Sequence, residues 1–524
     1  MLKKSVKYNC KYVCRLCPWF LLRKGISMSQ IYVPKRFYGR TGYQIMVDRF
    51  YRDQTPLPYI EGRKVKSWDD WMPDWQPDPD GVYRNRYYYG GNLGGIIQKL
   101  DYIESMGFNL ILLGPISKTN TYHHYDVEDQ TVIDPYIGSM ADFAKLCKEA
   151  HKRDILVGVD LVFNHFGSQS EFFQKAMAGE GYFKDWFEWK ENGNPVYWYG
   201  FTDMPETNKM SANFKEYVYY VLETYIRNGA DCIRLDLGEN LPESFMQDVR
   251  QKIKELNPEV LIVSEMWGLA TKKDNPQIFD GRQADSIMNY PMADDIIRWV
   301  RTGNYLHFNY NLSEISKYPE NVQNVLWNML DSHDTPRAKT MLGGAGIQDD
   351  PFKGGPWDIE EPWRYPGGFD TYAFRKFEAD NDSNLHKDSD QMLMLASTIQ
   401  YLVKGIPVVF YATEVGMDGY KDPFCRKPFS WNSQNETLRE HYRKLGMLRR
   451  QNKDILSDGD MDIICDSELM FITRRSRSGS IVAILSRNNA EMPVGFKARK
   501  QNILFQLNSN DPNIGSYGAV VCRF

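Results

Sequence analysis

Cysteine is scarce in this chain: eight residues in 524, too thinly spread for a disulfide framework. Cys10, Cys14 and Cys17 have ligand-like spacing, but no fourth Cys or His completes the set nearby, so bystander thiols are a better reading than zinc. The scarcity favours a reducing, cytoplasmic setting, with secretion as the runner-up. Long apolar runs are missing too. None approaches the roughly 18 residues that cross a bilayer, so no membrane partner is expected. Charge of one sign is also absent: 64 Lys and Arg against 68 Asp and Glu leave −4, which argues against a nucleic-acid partner. No glycine-rich phosphate loop follows a strand, since Gly90-Gly91-Asn92-Leu93-Gly94-Gly95 comes after a tyrosine-rich loop.

Aromatic residues are plentiful, with 13 Trp, 33 Tyr and 27 Phe, a supply suited to a large core and to stacking on flat ligands. Residues 1–40 read as a basic extension, disordered or non-native, with Met28 as the expected start. Its resemblance to a signal peptide is poor, because Arg23 and Lys24 close the apolar stretch and no small-residue cleavage site follows.

From residue 41 to about 455, short apolar strands alternate with amphipathic helices. Gly91 to Phe108 has helical spacing and ends at Gly107; Ser139 and Asp142 make a capping box before the stripe Met140, Phe143, Leu146 and Ala150. Further helices are expected over Phe214 to Ile226 and Phe245 to Leu256. Strands are expected near 42–48, 109–115, 155–163, 231–237, 260–265, 286–290, 325–331 and 405–411. Eight such units imply an α/β fold, a closed (β/α)8 TIM barrel, with the open doubly wound sheet as the alternative. Residues 166–210 read as an insertion domain after strand 3. The excursion Gly343 to Gln391, with Trp357, Trp363, Tyr365 and Tyr372, reads as a cleft wall. Residues 456–524 read as a C-terminal all-β sandwich domain, with strands at Met470–Thr473, Ile481–Leu485 and Ala519–Val521.

Parallel barrels carry their chemistry at the C-terminal ends of the strands. Those ends read Asp160 to His165, Arg234-Leu-Asp236, Glu265-Met-Trp267 and Asp331-Ser-His333-Asp334. Arg234 and Asp236 are two apart and share a strand face, so the guanidinium should hold Asp236 ionised and aim it as a nucleophile. Glu265 lies on the neighbouring strand, where nearby carboxylates should raise its pKa as a general acid requires. One charged and one protonated carboxyl group are what glycoside hydrolysis demands. Asp334 would face the positive charge of an oxocarbenium-like transition state, and His165 and His333 could bond sugar hydroxyls. Singly, each pair reads as an ordinary ion pair; four loaded strand ends at one face are costly to bury unless used.

With these motifs the chain resembles the α-amylase family of retaining glycoside hydrolases, family 13, and most of all its cyclomaltodextrinase, neopullulanase and maltogenic amylase branch. The resemblance rests on Tyr43-Gln-Ile-Met-Val-Asp-Arg49, Asp160 to His165, Gly229-Ala-Asp-Cys-Ile-Arg-Leu-Asp236, Glu265, and Ser332-His-Asp-Thr-Pro-Arg337. It implies Asp236 as nucleophile, Glu265 as general acid/base and Asp334 as transition-state stabiliser. Arg234, His165, His333 and Tyr125 would line the subsite of the attacked sugar, and Asp422 and Arg426 would bind the next one. Met204-Pro-Glu-Thr-Asn208 is similar to a branch motif. Gln130 stands where an aromatic is common, and Ala412-Thr413 where Gly-Asp is more usual.

The implied activity is hydrolysis of α-1,4, and in part α-1,6, bonds in maltodextrins, cyclomaltodextrins or related α-glucans. Glucan transfer at the same site is the alternative; a non-catalytic carbohydrate-binding or scaffold protein is a third. No cofactor is required. Calcium enters only because Asn164 resembles a calcium-ligating position of some relatives, with a hydrogen-bonded barrel asparagine as the other reading. The branch's amino-terminal β-domain does not fit into Met1 to Arg40, so a monomer or weak oligomer is expected.

Overall fold

The structure is a computed structural model and describes residues 32–72, 75–76, 86–271, 278–344, 372–381, 383–491, 502–510 and 513–524. Cys10, Cys14, Cys17, Met28, Trp357, Trp363 and Tyr365 lie outside the described residues. Eight parallel strands form the centre: β1 Gly42–Ile45, β2 Leu110–Leu113, β3 Leu156–Leu161, β4 Cys232–Leu235, β5 Leu261–Ser264, β6 Ser286–Ile287, β7 Trp327–Met329 and β8 Ile406–Phe410. Every residue in them is buried, which explains their nearly unbroken apolar sequence.

The sheet order is β6-β5-β4-β3-β2-β1-β8-β7. A parallel bridge from Met288 to Trp327 joins β6 to β7, reinforced by the Asn289 amide donating to Trp327 O at 2.9 Å. The sheet is therefore a closed barrel and not an open doubly wound one. Strands are shorter than their apolar runs because the polar ends leave the ladder; Val47–Phe50, expected in part as strand, is a helical turn that buries Asp48 and Arg49. The helix expected over Gly91 to Phe108 is two, Leu93–Gln98 and Leu100–Ser105, parted at Lys99. The capping box of Ser139 and Asp142 starts Met140–His151 as expected. Ala212–Arg227 and Glu243–Leu256 form the next two outer helices.

Residues 166–210 follow β3 and pack Phe166, Phe172 and Trp186 against Phe214 and Tyr217 of the next outer helix. In the Gly343–Gln391 excursion, the helix Tyr372–Asn381 brings Glu378 to the loop after β8, where it accepts from the Lys421 amide at 3.2 Å.

The C-terminal strands are β9 Asp460–Cys465, β10 Leu469–Ser476, β11 Gly479–Ser486, β12 Ala490–Glu491, β13 Ile503–Asn510 and β14 Asn513–Arg523, all paired antiparallel. Alternation sorts their two faces: Ala483, Leu485, Ala519 and Val521 join the barrel core, while Ile484, Val520 and Cys522 form a separate small core on the other side.

Arg474 of β10 fastens this sheet to the barrel. Fully buried, it donates to Leu402 O at 3.0 Å, Leu456 O at 3.2 Å and Gly459 O at 3.0 Å. Arg474→Met leaves three buried carbonyls unpaired, so it should lower stability by about 3 kcal/mol. An unchanged urea midpoint would contradict this.

Candidate active site

Arg234 lies on β4, directly opposite Asp160 in the β3–β4 register. Its Nη1 donates to Asp160 Oδ1 and Oδ2 at 2.7 and 2.6 Å and to Asp236 Oδ1 at 2.8 Å. Its Nη2 lies 2.9 Å from Glu265 Oε2, an ion pair without hydrogen-bond alignment. The ladder sets Asp236 and Glu265 at one height, a step above Asp160 and Arg234: the Asp236 amide donates to Leu161 O at 3.0 Å and the Glu265 amide to Leu235 O at 3.1 Å.

The chain then turns sharply. Leu237 takes a left-handed φ of 49°, and its amide donates to Glu265 Oε2 at 2.7 Å. Such strain in a non-glycine residue persists only where its surroundings enforce it. Gly238 follows because a Cβ there would stand 2.1 Å from Ser264 Oγ. Trp267, two residues past Glu265, is only 8% exposed. It stacks on Tyr290 with centroids 3.9 Å apart, and its indole donates to Glu265 Oε1 at 3.0 Å, so it orients Glu265.

Three carboxylates around one guanidinium in a buried site oppose one another's ionisation. Burial pushes Asp160 up, against Arg234. Asp236 is pushed well above the ordinary aspartate range by burial, with Glu265 and Asp160 adding to the rise and Arg234 only opposing it. Arg234 therefore acts on Asp236 in the expected direction, but burial, with the two neighbouring acids adding to it, outweighs the guanidinium. Asp334 goes the other way. Burial pushes it up, but His333, Arg426 and Arg234 together hold it well below the ordinary range.

His333 Nε2 is 3.0 Å from Asp334 Oδ2, and its ring stacks on Tyr125 with centroids 5.1 Å apart. The Tyr125 hydroxyl donates to Asp160 Oδ2 at 2.9 Å and also meets His333 Nε2. Burial pushes the His165 imidazole down to about 3, so it is neutral at pH 7, with Nε2 3.2 Å from Tyr125 O. Asp422 accepts from the Tyr122 hydroxyl and pairs with Arg426 Nη1 at 3.3 Å. Arg426 Nη2 reaches Asp334 Oδ1 at 3.4 Å.

The Tyr43–Arg49 motif supports this loop. Arg49 donates to Arg426 O at 2.9 Å and lies 4.0 Å over the Tyr122 ring. Contacts thus link Asp236, Glu265, Asp334, Tyr125, His165, Arg234, His333, Asp422 and Arg426 at one barrel mouth. Sequence reasoning passed over two members. Asp160 reads from the sequence only as part of a strand end, although its pairing opposite Arg234 follows once β3 and β4 are neighbours. Tyr122 carried no signal beyond its place three residues before Tyr125.

The two departures from the family pattern are also accounted for. Gln130 copies a strand edge: its Nε2 donates to Val162 O at 2.7 Å and its Oε1 accepts from the Val162 amide at 2.9 Å, just before Asn164 and His165. Ala412 is left-handed with φ 66°, and the Thr413 hydroxyl donates to Asp331 Oδ2 at 2.7 Å. Gln130→Glu puts a carboxylate against Val162 O and should cost about 2 kcal/mol. The check is a lowered thermal midpoint at pH 7, with recovery at pH 4 as the new acid protonates.

The model of the α-amylase catalytic domain matches residues 30–351. Neopullulanase 2 of Thermoactinomyces vulgaris is 30% identical over 73% of this chain and 59% of its own length. A cyclomaltodextrinase of Geobacillus thermopakistaniensis is 29% identical over 87% of this chain and 70% of its own length. The chain therefore spans from under two thirds to about 70% of these relatives. The type III pullulan hydrolase of Thermococcus kodakarensis superposes with a TM-score of 0.76 over 94% of this chain and 83% of its own, at 24% identity, a likeness of fold.

Proposed function

Because the chain belongs to the α-amylase family, we propose that it is a retaining glycoside hydrolase that cleaves α-1,4, and in part α-1,6, bonds in maltodextrins, cyclomaltodextrins or related α-glucans. The observation that carries the reading is the single Arg234 guanidinium contacting Asp160, Asp236 and Glu265 at adjacent strand ends. In the proposed double displacement, Asp236 attacks the anomeric carbon through Oδ2, its Oδ1 being bound to Arg234. Glu265 gives its proton to the departing glycosidic oxygen. Water then attacks the covalent glycosyl-enzyme while Glu265 takes a proton back.

Only one placement of the proton kept by this crowded cluster is reactive: Asp236 ionised and Glu265 protonated. Asp334, held ionised, faces the positive charge of the transition state. Neutral His165, together with His333 and Tyr125, bonds the attacked sugar, and Asp422 with Arg426 holds the next one. A sugar hydroxyl in place of water would give glucan transfer.

No cofactor is proposed. Asn164 meets the His165 ring through its amide and accepts from Thr207 at its carbonyl, which supports reading it as a hydrogen-bonded barrel asparagine and not as a calcium ligand. Activity should therefore survive chelation. Free Cys147, Cys232, Cys425, Cys465 and Cys522 support a cytoplasmic setting, and a monomer or weak oligomer is proposed. Among the described residues no helix is long and apolar enough to cross a membrane.

Asp236→Asn should cut maltodextrin turnover by at least about 10³-fold with folding intact. Wild-type activity in that variant would remove the mechanism, and product analysis with maltotriose would separate hydrolysis from transfer. The acid limb of kcat/KM should lie above the ordinary aspartate range, since Asp236 must lose a proton that the site favours. Asp160→Asn removes one of the charges that raise Asp236 and should move that limb to lower pH. A limb that stays in place would assign it to another group.

A further inference from the structure

The turn Trp198-Tyr199-Gly200-Phe201 at the tip of the insertion carries three aromatic rings in four residues. Its base is fixed: the Trp198 amide donates to Met204 O at 3.0 Å, the Phe201 amide to Trp198 O at 2.9 Å, and Tyr197 bridges Pro205. Trp198 stacks on His165, with centroids 5.4 Å apart and planes 22° from parallel. The turn is thereby seated on the barrel mouth. Phe201 lies 5.7 Å from Trp198, and Tyr199 lies edge-on to it at 5.2 Å.

Nothing in folding explains this arrangement. Tyr199 is 71% exposed and Phe201 45% exposed. Tyr199 also takes a left-handed φ of 45°, costly for a bulky residue, and the Trp198 indole N–H is buried without a partner. A strained backbone, an orphaned donor and rings held in water beside a cleft are the marks of a ligand clamp. The position gives the side. Asp422 and Arg426 reach the site through β7 and β8, whereas His165 and Trp198 follow β3, across the barrel mouth.

We propose that Trp198, Tyr199 and Phe201 form a stacking platform for a glucosyl unit of the substrate outside the attacked sugar's subsite, on the rim opposite Asp422 and Arg426. This rests on the glucan reading above and adds a binding surface on the second rim to it. The apolar faces of glucose rings stack on aromatic rings, so long glucans should gain affinity from the platform and short ones should not.

The experiment measures maltotriose and maltoheptaose binding by calorimetry to the full chain carrying Asp236→Asn, which prevents turnover. Adding Tyr199→Gly removes the ring and suits the left-handed backbone, so folding is retained. Maltoheptaose should then bind about 5- to 10-fold more weakly while maltotriose changes less than twofold, and Tyr199→Phe should restore the difference. Equal binding of maltoheptaose with and without the ring, or an equal loss for both sugars, would overturn the platform. If the Asp236→Asn chain binds neither sugar, the glucan reading itself falls, and the platform with it.

Discussion

One guanidinium does most of the organising in this molecule. Arg234 has no water to face; it meets Asp160 across one strand pair, Asp236 along its own strand and Glu265 on the next. Removing a partner from such a group leaves uncompensated buried charge, which makes the whole set interdependent. The barrel supplies the rest. Because β3, β4 and β5 are in register, Asp160 arrives level with Arg234, and Asp236 arrives level with Glu265 one same-face step further on, without help from the loops.

Around that centre the supporting contacts form a ring. Tyr125 ties Asp160 to His333, His333 ties to Asp334, Asp334 to Arg426, and Arg426 to Asp422. Arg49, far away in sequence, props the last of these by binding Arg426 O and lying over Tyr122. The signature motifs are thus parts of one continuous network, and their order along the chain follows the order of strands around the barrel.

Much of this was legible beforehand. All eight strand positions fell inside apolar runs, and the polar residues closing those runs are the ones gathered at the mouth. What could not be read was electrostatic sharing. Two residues apart on a strand, Arg234 and Asp236 look like a private pair; only the barrel shows how deeply Asp236 is buried and that Asp160 and Glu265 claim the same guanidinium, burial first and the two acids after it raising the pKa of Asp236. Helix continuity over Gly91 to Phe108 was overestimated, since apolar spacing does not register the break at Lys99. Trp267 shows a different gap: an aromatic beside a catalytic acid can serve the acid instead of the ligand, and composition cannot separate those uses.

The same crowding bears on the folded state. A carboxyl group whose pKa is raised by folding works against the folded state at pH values above its ordinary range, and Asp236 is such a group. The barrel mouth is therefore a region of stored electrostatic tension, held together by the apolar strands beneath it. Neutralising one of these acids should therefore give a sturdier protein with an idle site, a trade of turnover against robustness.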